Sequence, residues 1–158
     1  MNLISSKLIE MGIEPSKPIV PIANYVQTKI VESVILVSGQ LPFKNGEILY
    51  KGVVGKDITI DEAKIAAELC VINIVNQIIN TVDDNFDKIK SCVKLEIFIS
   101  CGADFERHAE IANAASDFVI KIFGERGRHT RVTIGVCSLP LNSSIEIAAI
   151  FETHKTIE

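Results

Sequence analysis

Several residue types that carry familiar chemistry are scarce in this sequence. It has no tryptophan, three histidines and four cysteines among 158 residues, and only 6% of its residues are aromatic. So few aromatic side chains leave little material for stacking the bases of single-stranded RNA. Sixteen basic residues stand against twenty acidic ones, a net charge of −4, which disfavours a chain specialised for polyphosphate binding. Nucleic acid is therefore an unlikely partner by composition.

The cysteines, too, lack the spacing of a functional cluster. Cys70, Cys92, Cys101 and Cys137 stand singly inside apolar segments, and no CxxC pair links them. Neither a disulfide framework nor a zinc site is predicted, and we expect buried, reduced thiols. The sequence also lacks a phosphate loop, a nucleophile elbow, a zinc-protease helix and a dinucleotide fingerprint. We expect no metal and no cofactor.

Long apolar runs are also absent, although 47% of the residues are hydrophobic. Polar or charged residues interrupt every candidate before the roughly 20 residues that a membrane span requires. The first residues lack the charged head, unbroken apolar stretch and cleavage site of a signal peptide. We expect a soluble, cytoplasmic protein without a membrane partner. Because no linker-like interval interrupts the chain, residues 1–158 are expected to form a single domain.

Hydrophobic periodicity predicts an α+β fold with about six strands and two long helices. A short helix over 3–11, inside an N-terminal extension of residues 1–14, is followed by Gly12, and Pro15, Pro18 and Pro21 then predict an extended segment. Thr59 and Glu62 form a capping-box pattern before a helix that runs to residue 79, and a second helix over 104–123 stops at Gly124. The predicted strands are 25–30, 33–39, 47–55, 92–100, 131–140 and 144–152.

Two helices can cover one face of such a sheet, so the other face needs a different cover. We expect a second copy of the chain to supply it.

Arg131 and Glu146 are the strongest candidates for chemistry. A guanidinium at the start of an apolar strand must reach solvent or find an anion, and its planar fork suits a carboxylate. The plainer interpretation, which spacing alone favours, is an ion pair with an acidic residue of the chain. Glu146 stands between Ile145 and Ile147, where the plainer interpretation is the polar face of a strand.

The spacing of these two residues sets a geometric problem. If 131–140 and 144–152 formed a hairpin, Arg131 and Glu146 would lie about 15 to 20 Å apart along the strands. A site completed between subunits, or a barrel-like curvature of the sheet, would bring them together.

Two further groups have plainer interpretations that we favour. Ser38, in VSGQLP, could be a nucleophile, but no histidine lies near it in sequence, and a serine at a strand end usually bonds to backbone. Arg126, Arg128 and His129 form a cationic loop that is either a lid or, as we favour, a solvated turn.

Taken in chain order, several segments resemble the RidA-like family of reactive-intermediate deaminases, also called the L-PSP endoribonuclease family. The resemblance rests on Tyr25 in IANYVQ, on SGQLP from Ser38, on Asn113 in the second helix, and on RVTIGVCSLP with IEIAAIF. It spans residues 22–151. It implies a chorismate-mutase-like fold and a homotrimer whose sites lie in the clefts between subunits.

For the deaminase members, the resemblance implies hydrolysis of small 2-imino or enamine acids, such as 2-aminoacrylate, to 2-keto acids and ammonia without a cofactor. Carried onto this sequence, it implies that Arg131 binds the substrate carboxylate and that Glu146 orients or deprotonates a water. Thr133 stands where many members have cysteine and would act through its main chain. The other pocket residues that it implies are Tyr25, Ser38, Gly39 and Asn113.

The sequence also departs from the family pattern. The N-terminal helix, the extra residues between Asp104 and Asn113 and the GERGRH loop indicate a longer branch, and His129 replaces a common proline or alanine. One alternative is therefore a non-catalytic protein that binds a small carboxylate in the same cleft. An endoribonuclease is less favoured, because the chain is acidic and has no histidine acid/base pair.

Overall fold

The computed structural model describes residues 2–17 and 24–155. The helices are α1 (Ile4–Glu10), α2 (Ile60–Thr81) and α3 (His108–Phe123), with short 3-10 turns at Phe86–Lys88, Gly124–Gly127 and Pro140–Asn142. The strands are β1 (Thr28–Val31), β2 (Val34–Gln40), β3 (Phe43–Lys44), β4 (Glu47–Ile48), β5 (Ile89–Ser100), β6 (Thr130–Val136) and β7 (Ile145–Thr153). Within the described ranges, no helix is long and apolar enough to cross a membrane. The extended segment predicted at Pro18 and Pro21 lies outside the described residues.

Five strands form one mixed sheet in the order β1-β2-β7-β5-β6. Its pairs are antiparallel except β5 and β6, which are parallel because α3 carries the chain back between them. The expected α+β class is confirmed, as is the short N-terminal helix. A full strand over 47–55 is wrong: Glu47–Ile48 form a short strand with β3, and Lys51 and Val54 make only isolated bridges. Tyr50, Gly52 and Gly55 take positive φ, which interrupts the extended chain.

The two long helices follow the predicted end signals closely. Thr59 Oγ1 accepts the Glu62 N–H at 3.2 Å, and Glu62 Oε2 accepts the Thr59 N–H at 2.8 Å, so the capping box is formed. Helix α3 ends at Phe123, and Gly124 follows it with a φ of 59°, a positive value that favours glycine. It begins at His108 rather than at 104, because a turn precedes it.

Helices α2 and α3 lie against one face of the sheet, which we call the helix face. Strand side chains on that face are buried and form the core, including Val37, Leu95, Ile97, Ile147 and Phe151.

The alternate side chains form the open face, which no helix of the described chain covers. The open face includes Leu36, Glu96, Phe98, Ile134 and Glu146, with Phe98 paired to Ile134 on one side and to Glu146 on the other. Leu36 and Ile134 remain 40% and 45% exposed. The sheet therefore has one finished and one unfinished face, as the count of helices predicted.

The structure differs from the hairpin considered for the last two strands, and it bears out the expected thiol burial for two of the four cysteines. Strands β6 and β7 are not a hairpin: both pair with β5, on its opposite edges, because β7 inserts between β2 and β5. Buried thiols are found at Cys70 and Cys92, whereas Cys101 is half-buried and Cys137 is exposed. Cys137 lies just past the end of the edge strand β6, where no neighbouring strand covers it.

Candidate functional site

The residues implied by the resemblance fall mainly into two groups on opposite faces of the sheet. Arg131 and Thr133 lie on the helix face of β6, beside α3, which carries Asn113; we call this the Arg131 half-site. Glu146 lies on the open face of β7, beside Ser38 and Gly39 of β2; we call this the Glu146 half-site. Tyr25 precedes β1 and is 49% exposed.

A β-bulge shapes the Glu146 half-site. Between the pairs Val37 with Ala149 and Gln40 with Ile147, β2 contains one residue more than β7. The bulge brings Gly39 against the Glu146 side chain. A Cβ on Gly39 would overlap Glu146 Oε1 and lie 2.8 Å from Cδ, so this position accepts only glycine without moving the carboxylate.

Ser38, the residue before Gly39 in the bulge, forms a cluster with two amide side chains. Its Oγ lies 2.8 Å from Gln27 Oε1, which also accepts the Gln40 Nε2–H at 2.6 Å, and Gln40 is buried. The hydroxyl is thus a hydrogen-bond partner of an amide rather than of a base, which agrees with the interpretation that Ser38 is not a nucleophile. Sequence reasoning singled out Tyr25 of IANYVQ and missed Gln27 at the end of the same segment.

The environment of Glu146 changes its acidity. Burial raises the pKa of this carboxyl above its ordinary value. The same negative charge, together with burial, raises the pKa of the Cys70 thiol, with burial the larger cause. A carboxylate whose pKa moves toward neutrality becomes a stronger base near pH 7.

Arg131 forms no ion pair with an acidic residue of the described chain. Its Nη1 donates instead to Ser116 Oγ of α3 at 3.0 Å. Ser116 Oγ also lies 2.9 Å from His129 Nε2, and His129 Nδ1 lies 2.6 Å from the Gly127 carbonyl oxygen. The ion pair that spacing favoured is therefore wrong, and the guanidinium is held by a hydroxyl. Ser116 carries no signal in the sequence alone.

Two other polar side chains of the Arg131 half-site, Thr133 and Asn113, differ in their surroundings. Thr133 Oγ1 is buried and has no hydrogen-bond partner within residues 2–17 and 24–155. Asn113, one helical turn before Ser116, is exposed on α3. On β6, two residues after Thr133, a Cβ on Gly135 would lie 2.7 Å from Cys101 Sγ and 2.8 Å from His108 Nε2.

The cationic loop contains a 3-10 turn whose two arginines contact other groups of the chain. Arg126 Nη1 donates to the Phe86 carbonyl oxygen at 3.0 Å and its guanidinium carbon lies 4.9 Å from the centre of the Phe86 ring. Arg128 pairs with Glu125 at 2.8 Å. Arg128 is exposed, as in the solvated turn favoured from the sequence, whereas Arg126 is half-buried against Phe86.

Arg131 and Glu146 cannot meet within one chain. Strand β5 separates them, with Arg131 paired to Leu95 and Glu146 paired to Phe98. Three residues of strand and two strand spacings put their backbones about 14 Å apart, and their side chains leave opposite faces. No group of three or more metal-binding side chains occurs in the described parts of the chain.

Comparison with known proteins places this fold. The family model described as "YjgF/chorismate_mutase-like, putative endoribonuclease" matches residues 5–153. Protein TCP17 of Trypanosoma cruzi is 33% identical over 152 residues, which cover 96% of this chain and 94% of that protein.

Solved structures agree with the family match. The protein Atu1372 of Agrobacterium tumefaciens, of unknown function, is 38% identical, with a TM-score of 0.86 over 95% of this chain and 92% of that one. A structure from Shewanella oneidensis described as a "putative endoribonuclease" is 31% identical, with a TM-score of 0.90 over 96% and 99%. Escherichia coli TdcF with bound serine is 25% identical, with a TM-score of 0.61 over 86% and 92%.

The order of elements, the mixed sheet and these matches agree with one another. The chain therefore belongs to the YjgF/RidA/L-PSP family and has its α+β, chorismate-mutase-like fold.

Proposed function

We propose that this protein hydrolyses small 2-imino acids to 2-keto acids and ammonia, in a site that two subunits of a homotrimer form together. Arg131 of one subunit binds the substrate carboxylate, and Glu146 of the partner subunit handles the water. The observation that carries the proposal is the pair of half-sites, in which an arginine without an acidic partner and a half-buried carboxylate lie on opposite faces of one sheet. Each half-site holds only part of the chemistry.

The two faces explain why an assembly is needed. The open face is apolar enough to lie against another copy, and it carries Glu146. The Arg131 half-site lies at the edge strand β6, where the sheet ends. Packing the edge of one copy against the open face of the next joins the two half-sites and covers the exposed apolar side chains.

The reaction asks for little beyond position and one base. Arg131 holds the carboxylate through two parallel N–H···O bonds and so orients the imine carbon. Glu146, in its ionised form, accepts a proton from a water molecule while the water oxygen bonds to that carbon. The proton that Glu146 accepted passes to the nitrogen, which gives a carbinolamine. Transfer of the carbinolamine hydroxyl proton to the same nitrogen then breaks the C–N bond, releasing ammonia and leaving the 2-keto acid. Tyr25, Ser38, Gly39, Asn113 and Thr133 line the pocket.

The comparison with TdcF supports a ligand of this size and charge. That structure holds serine, a small molecule with a free carboxylate. Thr133 adds a second argument, because its buried, unpartnered hydroxyl lies two residues from Arg131 on the same face. An unsatisfied buried hydroxyl is costly unless a ligand completes it.

The proposal is tested by generating 2-iminobutyrate with an amino-acid oxidase and measuring the release of 2-oxobutyrate. We expect the wild type to accelerate release over the background without protein, and Arg131→Ala to abolish the acceleration. The matched control is Arg128→Ala, which removes an exposed arginine of the adjacent turn that pairs with Glu125. This control should keep full activity.

The other outcomes separate the alternatives. A wild type that binds 2-oxobutyrate but accelerates nothing would be a carboxylate-binding protein, and the catalytic proposal fails. Cleavage of single-stranded RNA that survives rigorous purification and is insensitive to Arg131→Ala would favour the endoribonuclease instead.

A further inference from the structure

Three consecutive hydrogen bonds connect Arg131 to the backbone of the turn that follows α3. They run from Arg131 Nη1 to Ser116 Oγ at 3.0 Å, from Ser116 Oγ to His129 Nε2 at 2.9 Å, and from His129 Nδ1 to the Gly127 carbonyl oxygen at 2.6 Å. These hydrogen bonds link the edge strand β6, helix α3 and the turn at Gly124–Gly127. None of them involves an acidic side chain.

The donors and acceptors fix the direction of each bond. A carbonyl oxygen only accepts, so His129 Nδ1 carries a proton. In a neutral imidazole, Nε2 is then an acceptor, and the Ser116 hydroxyl donates to it. This leaves the lone pairs of Ser116 Oγ for the Arg131 N–H. With a neutral imidazole, all three bonds therefore run in one direction, from Arg131 through Ser116 and His129 to the Gly127 carbonyl oxygen.

The far end of these hydrogen bonds is held by close packing. Gly127 is buried against α3, where a Cβ would lie 2.7 Å from the Val119 carbonyl oxygen and 2.8 Å from Ile120 Cα. Arg126 ties the same turn to the Phe86 carbonyl. The Gly127 carbonyl is thus a fixed acceptor, and it fixes the imidazole in turn.

We infer that Ser116 and His129 are positioning residues, which hold the Arg131 guanidinium ready for a substrate carboxylate. The inference rests on the proposed function and adds two residues to its site. Arginine has five N–H donors, and Ser116 takes one of them, on Nη1. Enough donors remain for a bidentate bond to a carboxylate. The hydroxyl therefore orients the fork without occupying it.

Such a role lowers the entropy lost on binding. A free arginine side chain must give up many rotamers when it grips a ligand, whereas one already tied to a hydroxyl has lost part of that freedom beforehand. Removing the hydroxyl should weaken carboxylate binding several-fold, up to roughly tenfold. A ligand without a carboxylate should bind as before.

The test compares Ser116→Ala with Ser116→Thr, which restores a hydroxyl. Alanine is the better helix former, so loss of function in Ser116→Ala cannot be blamed on a weakened α3. NMR titrations give the affinity for 2-oxobutyrate and for its primary amide, 2-oxobutanamide. We expect the ratio of acid to amide affinity to fall several-fold in Ser116→Ala and in His129→Phe, and to recover in Ser116→Thr.

A second readout needs no ligand. Side-chain ¹⁵N spectra of the free wild type should show His129 protonated at Nδ1 and not at Nε2. The ¹⁵N–¹H NOE of Arg131 Nε should drop in Ser116→Ala, because the side chain gains ps–ns motion, and recover in Ser116→Thr.

An unchanged affinity ratio and an unchanged NOE in Ser116→Ala would overturn the inference while leaving the proposed function intact. A wild type that neither binds 2-oxobutyrate nor hydrolyses the imine would overturn the proposed function. The NOE would then still report whether Ser116 holds Arg131.

Discussion

Glu146 owes its position to a residue without a side chain. Its carboxylate lies against Gly39, in the space that any Cβ at that position would fill. A single methyl group at position 39 can therefore displace the proposed base while leaving the carboxylate itself unchanged.

We predict that Gly39→Ala lowers the rate of imine hydrolysis on the order of a hundredfold, because a displacement of about 1 Å at a reacting group has an effect of that size. The control is Gly102→Ala, where a Cβ meets nothing within 4 Å. Steady-state kinetics on both variants, with thermal unfolding to show that each is folded, make the comparison. Equal activity in the two variants would mean that the position of the Glu146 carboxylate does not matter for hydrolysis, which would contradict its role as the base.

The buried carboxyl also links stability to pH. Its raised pKa means that the folded protein binds this proton more tightly than the unfolded chain does. Its contribution to stability therefore falls as pH rises through the unfolded pKa to the folded one. We predict that Glu146→Gln matches the wild type in urea unfolding below about pH 4 and is more stable than it at pH 8.

The control for this effect is Glu152→Gln, on the same strand and face, which removes a carboxylate bound to Lys90 at 2.8 Å. This variant should gain no stability at pH 8. A difference between Glu146→Gln and wild type that does not change with pH would contradict the assigned cause.

Sequence reasoning reached some of these residues and not others, for a physical reason. Arg131 and Glu146 stood out because a charge in an apolar strand needs an explanation. Ser116 lies fifteen residues before Arg131, and no local spacing connects a helix hydroxyl with a strand guanidinium. The two residues are brought together only by the packing of α3 on β6.

At the level of elements, the crossover from β5 through α3 to β6 decides the geometry. It turns β6 parallel to β5 and sends β7 to the other edge of β5, so that the two candidate residues emerge on different sides of that strand. Two strands joined by a short connection usually pair with each other, and this is why a hairpin was considered. Instead β7 pairs with β2 and β5, through contacts that are distant in sequence. Helix ends, by contrast, are set by local signals such as Thr59 with Glu62, and these were predicted correctly.

The turn after α3 gives an element-scale prediction. Gly127→Ala should place a methyl group against the backbone of Val119 and Ile120, which cannot move aside as a side chain can. We expect a loss of unfolding free energy of about 1–3 kcal/mol, typical of overpacking, and weaker binding of 2-oxobutyrate as His129 shifts. Urea unfolding and the NMR titration measure both effects. Behaviour like that of Gly102→Ala would show that the turn is not held by this contact.

At the scale of the whole molecule, the unfinished open face is the dominant feature. The number of helices predicted it, because two helices cannot cover both faces of the sheet. In the proposed trimer another chain covers this face, and the periodicity of one chain does not indicate where its partner lies.

We predict that Ile134→Lys, on the open face of the edge strand β6, breaks the proposed trimer into monomers and abolishes imine hydrolysis, since a lysine there would bury a charge. The matched control is Ile65→Lys on α2, because Ile65 and Ile134 are both 45% exposed. Sedimentation velocity should find a trimer for the wild type and for Ile65→Lys. A trimeric Ile134→Lys would mean that this face is not the interface.

The most direct test of the shared site is a crystal structure of the protein with 2-oxobutyrate bound. The account predicts that the carboxylate lies within hydrogen-bond distance of the Arg131 guanidinium, and that Glu146 of the partner subunit faces the keto carbon. A carboxylate bound away from Arg131, or one facing Glu146 of the same chain, would contradict it.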